Sequence, residues 1–389
     1  MSGTCMDTGA NEFPREELSI VSPKYKEMDA MSAKKRRPLG PLYITAAGEH
    51  DGKSAIALGL CLALRRKGYN AGYFKPVGML GGHADGTDAD ALAAKEVLEL
   101  DDDLDDICPV TITAQVNDDA LLGRKKVKSH AAAISKALAR VSGERDVVVM
   151  EALGDPGRGA YLGLSAADIA ELTQAQALLV AGYGGTAMLD RILAGRALLG
   201  QRFMAAVINR VPKTRLERVE TGYHPFLEAR GVDLFGVIRE EPRLSAVSVG
   251  DIRERLGAEV LSADAGMAKT VTSILVGAMN QEHALRYFQR VNDKAVITGG
   301  DRSDIILAAL ETPTSVVVLT GHLHPAPSVI GRAEELGVPL LLTGQDTMTA
   351  ASDIRELFGH MRIRETGRLE LITKLIEESM DVDAIVGRL

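Results

Sequence analysis

From Leu42 onward the chain alternates short, nearly continuous apolar runs with longer stretches in which apolar residues recur every three or four positions. Runs of four to six apolar residues fit strands buried on both faces, and the three-to-four spacing fits amphipathic helices. Residues 41–45 read as a buried strand, a glycine-containing loop follows, and 54–67 read as a helix stopped by Gly68. Residues 71–75, 146–150, 177–181 and 205–208 read as further short strands, with helical patterns between them. Repeated strand–helix–strand units of this kind predict an α/β fold, a parallel sheet covered by helices on both faces.

A second block begins after Pro242 and carries a recurring strand-to-turn signature, Thr298-Gly299, Thr320-Gly321 and Thr343-Gly344. The spacing suits one strand, one turn and one helix per unit, hence a smaller α/β domain rather than a solenoid. The last stretch, 351–389, is charged and amphipathic and predicts one or two helices that dock on a domain or a partner. Residues 1–40 hold seven basic and six acidic side chains, end in Lys34-Lys35-Arg36-Arg37-Pro38, and read as a solvated flexible tail. The expected organisation is a tail at 1–40, domains at 41–243 and 244–350, and a helical end at 351–389.

Composition narrows the function classes. No apolar run reaches the roughly 18 residues of a membrane-spanning helix, so no membrane role is expected. Fifteen aromatic residues, none of them Trp, and a net charge of −8 disfavour a nucleic-acid partner. Three widely spaced cysteines, Cys5, Cys61 and Cys108, make neither a disulfide framework nor a zinc site. Without a secretory leader after Met1, the expected location is the cytoplasm.

The sharpest chemical feature is Ala47-Gly48-Glu49-His50-Asp51-Gly52-Lys53-Ser54, set between a strand and a helix. It differs from the G-x-x-x-x-G-K-[ST] phosphate loop only in Ala47. Backbone N–H groups of such a loop curl around a phosphate, and the helix N-terminus adds partial positive charge. Lys53 would reach terminal phosphates and Ser54 would place a hydroxyl on Mg²⁺; the competing reading is an inert glycine turn. Glu151 ends an apolar strand where open α/β sheets place ligands, and is either a metal carboxylate or an ordinary strand-end acid. Lys75 ends the neighbouring strand, as a phosphate-neutralising or nucleophile-activating group or an exposed lysine. Asp88 and Asp90 precede a helix, as caps or as metal carboxylates. The acidic run 101–106 reads as a solvated loop, and His322 and His324 lack companions for a metal site.

The order of these motifs resembles a known family. Gly52-Lys53-Ser54, Gly72-Tyr-Phe-Lys75-Pro-Val-Gly78, Thr87-Asp-Ala-Asp90-Ala-Leu92, Val149-Met-Glu151 and Val207-Ile-Asn209-Arg210 look like the dethiobiotin-synthetase fold. More closely, they resemble the dethiobiotin-synthetase-like N-terminal domain of long bacterial phosphotransacetylases and its stand-alone relatives. The segment from Ile297-Thr-Gly-Gly300-Asp301-Arg302 to Gly344 is similar to the DRTGG domain that follows it there. The resemblance implies ATP and Mg²⁺ as ligands. It implies that Gly48, Gly52, Lys53 and Ser54 hold phosphate, that Ser54, Asp90 and Glu151 hold the metal, that Lys53 and Lys75 serve the reacting centre, and that Asn209 reads adenine.

Two departures bear on activity. The synthetase segment Glu-Gly-Ala-Gly-Gly is here Glu151-Ala-Leu-Gly154-Asp155, which alters the substrate cradle. Position 48 is Gly where the ParA/MinD-like branch carries a second loop lysine, which disfavours a dimeric switch ATPase. Only about 40 residues follow the DRTGG-like block, so no acetyltransferase domain is expected. The expectation is a nucleotide-responsive regulatory module, a homo-oligomer open to a second small metabolite. The alternative is an ATP-dependent ligase acting on an amine or carboxylate.

Overall fold

The computed structural model describes residues 37–79, 87–123, 128–359 and 366–389; the charged tail through Arg36 lies outside the described residues. The first sheet is built from β1 (Leu42–Ala46), β2 (Ala71–Phe74), β3 (Val147–Glu151), β4 (Gln176–Gly182), β5 (Phe203–Val211) and β6 (Leu234–Arg239). Its order is β2-β3-β1-β4-β5-β6, and every pairing is parallel. All five residues of β1 and of β3 are buried, as the continuous apolar runs require.

Alternation along each strand divides the core between the two faces. On one face Ile44, Tyr73, Val147, Val149 and Val180 pack against helix α1 (Lys53–Arg66) and α2 (Ala89–Val97). On the other, Tyr43, Phe74, Val148 and Met150 meet the helix Lys128–Ser142 through Ile134, Ala137 and Val141. Helix α3 (Thr186–Leu199) covers Leu179, Ala206 and Ile208 with Met188, Leu189 and Ile192. Helix α1 stops where Gly68 adopts φ +81°, the left-handed conformation a glycine tolerates at a helix end.

The second sheet holds β7 (Glu259–Ser262), β8 (Ser273–Val276), β9 (Lys294–Gly299), β10 (Thr314–Thr320) and β11 (Leu340–Leu342), ordered β7-β11-β10-β9-β8. Only β7 runs antiparallel. The Thr-Gly signatures fall at the carboxyl ends of β9, β10 and β11. One face is covered by α4 (Val249–Leu256) and α8 (Thr347–Gly359), the other by α5 (Gln281–Phe288), α6 (Ser303–Leu310) and α7 (Pro327–Glu335).

The C-terminal stretch divides between the two sheets. Residues of α8 pack on the second sheet, whereas α9 (Thr366–Ser379) and α10 (Val382–Gly387) pack on the first. Ile372, Ile376, Met380, Val382 and Ile385 enter the α1 side of its core. Gly59 permits the approach: a Cβ there would stand 2.4 Å from Ile376 Cδ1. The Asp381 amide donates to the Phe235 carbonyl at 2.8 Å, and Gly236 bridges Met380 beside edge strand β6. At the far end the Gly40 amide donates to the Leu389 carbonyl at 3.1 Å.

Candidate functional site

The loop from Ala47 to Gly52 leaves β1 and delivers the chain into α1. The Ala47 amide donates to Val180 at 2.7 Å, and the Thr45 hydroxyl donates to the Gly154 carbonyl at 2.9 Å. Gly52 takes φ +91° at the start of the helix, and a Cβ there would collide with Asn209 Nδ2 at 2.4 Å. Glycine is required on both counts. Asn209, buried at the end of β5, donates from Nδ2 to the Asp51 carbonyl at 2.8 Å and accepts from the Arg210 amide at 2.9 Å. It therefore braces the loop that a phosphate would enter.

Four side chains converge on Glu151. Its side chain is fully buried at the end of β3, with Oε1 accepting from Ser54 Oγ at 2.6 Å and from Lys53 Nζ at 2.9 Å. Oε2 accepts from the Tyr73 hydroxyl at 2.7 Å. Lys75 Nζ stands 3.9 Å from Oε1, 2.9 Å from Asp88 Oδ1 and 2.5 Å from Asp90 Oδ2. Strand alternation accounts for the grouping: Tyr73 and Lys75, two apart, project to the α1 face, as does Glu151 on the adjacent strand.

Burial alone would push the Glu151 carboxyl up, but Lys53 and Lys75, with the Ser54 and Tyr73 hydroxyls, hold it well below the usual carboxylate range. Burial pulls the Lys75 ammonium down, and Glu151, Asp90 and Asp88 more than reverse that, raising it above an ordinary lysine. Lys75 is thus a fixed cation at neutral pH, not a free base. Burial, with Glu151 adding to it, raises the Tyr73 phenol well above its usual value, so Tyr73 stays a donor. Cys108 lies nearby with its thiol pushed up to about 12, chiefly by burial, which removes it as a nucleophile.

The sequence-selected residues fall into one place. Gly48, Gly52, Lys53 and Ser54 form the loop and helix start, with Glu151, Lys75, Asp88 and Asp90 beside them and Asn209 behind the loop. Lys75 is 3% exposed, which removes the exposed-lysine alternative. Asp88 caps α2, with Oδ1 accepting from the Asp90 and Ala91 amides at 3.0 Å, while the same carboxylate holds Lys75. Capping and charge pairing are therefore performed by one side chain. Tyr73, Asp51 and Arg191 were not singled out by the motifs. Tyr73 carried a signal in its two-residue offset from Lys75 and Asp51 in its place inside the phosphate loop, whereas Arg191 carried none.

Other sequence features resolve as structural elements. In the acidic run, Asp102 pairs with Arg145 and Asp106 with Arg140. His322 and His324 stand edge to face with ring centroids 5.7 Å apart, and no group of three His, Cys, Asp or Glu side chains suited to a metal occurs among the described residues. Cys61 is fully buried in the core beside Gly72. Among the described residues no helix is long and apolar enough to cross a membrane.

Comparison with known proteins matches the AAA domain family to residues 41–248 and the DRTGG domain family to 251–357. The phosphate acetyltransferase of Pseudomonas putida is 24% identical over 85% of this chain and 49% of its own length. That of Nitratidesulfovibrio vulgaris is 26% identical over 90% of this chain and 51% of its own. The chain spans about half the length of these curated relatives. Among solved structures, the MinD cell division protein of Aquifex aeolicus is 15% identical over 53% of this chain and 84% of its own, with a TM-score of 0.34. With a phosphate loop built from Gly52, Lys53 and Ser54 on a parallel sheet, and a DRTGG domain behind it, the chain belongs to the AAA domain family.

Proposed function

We propose that this protein binds ATP with Mg²⁺ at the Lys53–Glu151 centre and serves as a nucleotide-responsive regulatory module. Its occupancy would be passed to the DRTGG domain, within a cytoplasmic homo-oligomer. The convergence of Lys53, Ser54, Lys75 and Tyr73 on one buried carboxylate carries the reading. Glu151 holds the two lysines and the Ser54 hydroxyl at the helix start, where backbone N–H groups and the helix dipole favour an anion.

The donor set suits the implied metal, because Ser54 Oγ, Asp90 and Glu151 are all hard oxygen ligands of the kind Mg²⁺ takes alongside water and phosphate. When bound, Mg²⁺ supplies neutralising charge to the phosphate oxygens. Lys53 orients the terminal phosphate and Lys75 adds a fixed positive charge on the β2 side. Asn209 keeps the loop in shape through its bond to the Asp51 carbonyl, and its remaining amide hydrogen would be the one to meet a base.

The held position of Lys75 favours a second reading, a ligase of dethiobiotin-synthetase type. A cation fixed by Asp88, Asp90 and Glu151 stands where developing charge on an attacked γ-phosphoryl group would need offsetting. Two measurements on the full chain separate these readings. Mg-ATP is expected to raise the melting temperature by mass action, and Lys53→Ala to remove that rise. An unchanged rise in Lys53→Ala would overturn the site. ADP release is expected to stay near background with diamines and bicarbonate; rapid, substrate-dependent release would replace the regulatory reading with the ligase.

A further inference from the structure

Buried side-chain polar atoms without a partner are uncommon in folded proteins, and each asks for an explanation. Among the described residues there are five, and two of them face the same loop: Asp51 Oδ2 and Arg191 Nε. Asp51 belongs to the phosphate loop and is 6% exposed. Arg191 reaches the loop from the second turn of α3, with Nη2 3.4 Å from the Gly182 carbonyl, its only hydrogen bond among the described residues.

Glycines make the room. A Cβ on Gly48 would stand 2.7 Å from Arg191 Nη1 and 3.4 Å from Asp51 Oδ2. A Cβ on Gly184 would stand 3.0 Å from Arg191 Nη2, and one on Gly182 would stand 2.4 Å from Asp51 Oδ1. Three backbone positions without side chains thus frame a guanidinium and a carboxylate that both border Gly48. They share this space, yet no ion pair joins them among the described residues.

We propose that Arg191 is a phosphate-contacting residue, the third cation of the site after Lys53 and Lys75. It would approach the phosphate chain of the nucleotide from the Gly48 side of the loop, opposite the Lys75 side. A guanidinium suits this place because its planar fork binds two phosphate oxygens at once. Asp51, whose carboxylate borders the same glycine without pairing to Arg191, is then a positioning residue acting as a countercharge across that space. The inference rests on the nucleotide reading above.

The test is calorimetric titration of the full chain with Mg-ATP and with inorganic triphosphate, for the wild type, Arg191→Ala, Arg191→Gln, Asp51→Asn and Lys53→Ala. The melting temperature of each variant without ligand is recorded alongside, and Arg191→Gln decides the matter if Arg191→Ala does not fold. Loss of Arg191 is expected to weaken ATP and triphosphate by the same factor, about tenfold or more. A purely structural role would not produce that equality between a ligand with a base and one without. Asp51→Asn is expected to weaken both ligands in the wild type and to add little once Arg191 is gone. Affinities within twofold of wild type in both Arg191 variants, with binding lost in Lys53→Ala, would overturn this inference and leave the nucleotide reading standing. No binding of either ligand by the wild type would overturn both.

Discussion

Replacing Lys75 by Met tests whether the polar centre is held by mutual charge or merely tolerated. The substitution keeps the length of the side chain and removes its ammonium. Asp88, 6% exposed, then loses a partner at 2.9 Å, and Glu151, fully buried, loses one of the two lysines that keep it ionised. Removing one member of a buried charge group typically costs about 3–5 kcal/mol, because the remaining charge stays buried without compensation. In a domain of this size each kcal/mol lowers the melting temperature by roughly 2–4 °C. A fall of at least about 6 °C at pH 7 is expected, read by calorimetry.

The acid limb gives an independent check. A carboxyl whose pKa is depressed by folding adds stability above its unfolded value of 4.5, and that stability drains away as pH falls toward its folded value. Without Lys75 the Glu151 carboxyl titrates higher, so Lys75→Met should begin to lose stability at a higher pH than the wild type. Lys75 itself is raised above 10.5, so its own contribution is intact below that pH and is lost only on strongly alkaline titration. Adding Asp88→Asn to Lys75→Met should restore part of the loss, since one orphaned charge is gone. A Lys75→Met melting temperature within about 1 °C of wild type, with an unshifted acid limb, would show that mutual charge does not hold this centre together.

Tyr73→Phe removes the donor to Glu151 Oε2 while keeping the ring, and should cost about 1.5–3 kcal/mol in urea denaturation with an unchanged m-value. A loss below about 0.5 kcal/mol would mean that the phenol is not needed to hold the carboxylate. Ile376→Ala opens a cavity between α9 and α1 and should cost about 2–5 kcal/mol, lowering the unfolding midpoint of the first sheet's domain. No change in that midpoint would show that α9 does not contribute to its stability.

Local patterns made much of this molecule legible. The strands of the first sheet announce themselves as apolar runs, and Gly52-Lys53-Ser54 names its chemistry because a phosphate loop is contiguous in sequence. Glu151 and Lys75 were visible as charged residues closing apolar strands. Other features depend on distance in the chain. Nothing near Gly48 in sequence points to Arg191, and nothing in the apolar spacing of residues 366–389 says which surface receives it. That spacing shows that a face must be covered, not by what. Asp88 was divided between cap and metal carboxylate because each role is local in outline, and only the fold shows its Oδ1 both capping α2 and pairing with Lys75.

The placement of α9 and α10 has a consequence for how the chain comes together during synthesis. Arg66 at the end of α1 pairs with Glu377, which lies 311 residues later. A chain emerging amino end first therefore leaves the α1 surface around Gly59 uncovered throughout the synthesis of the second sheet, whose strands all lie between these two partners. Every strand of the second sheet is made before α9 and α10, so the helix carrying Lys53 and Ser54 gains its last neighbours only afterwards. Such a long closure is slow and leaves a sticky surface open meanwhile. Until α9 and α10 arrive, the nascent first domain is thus exposed to aggregation.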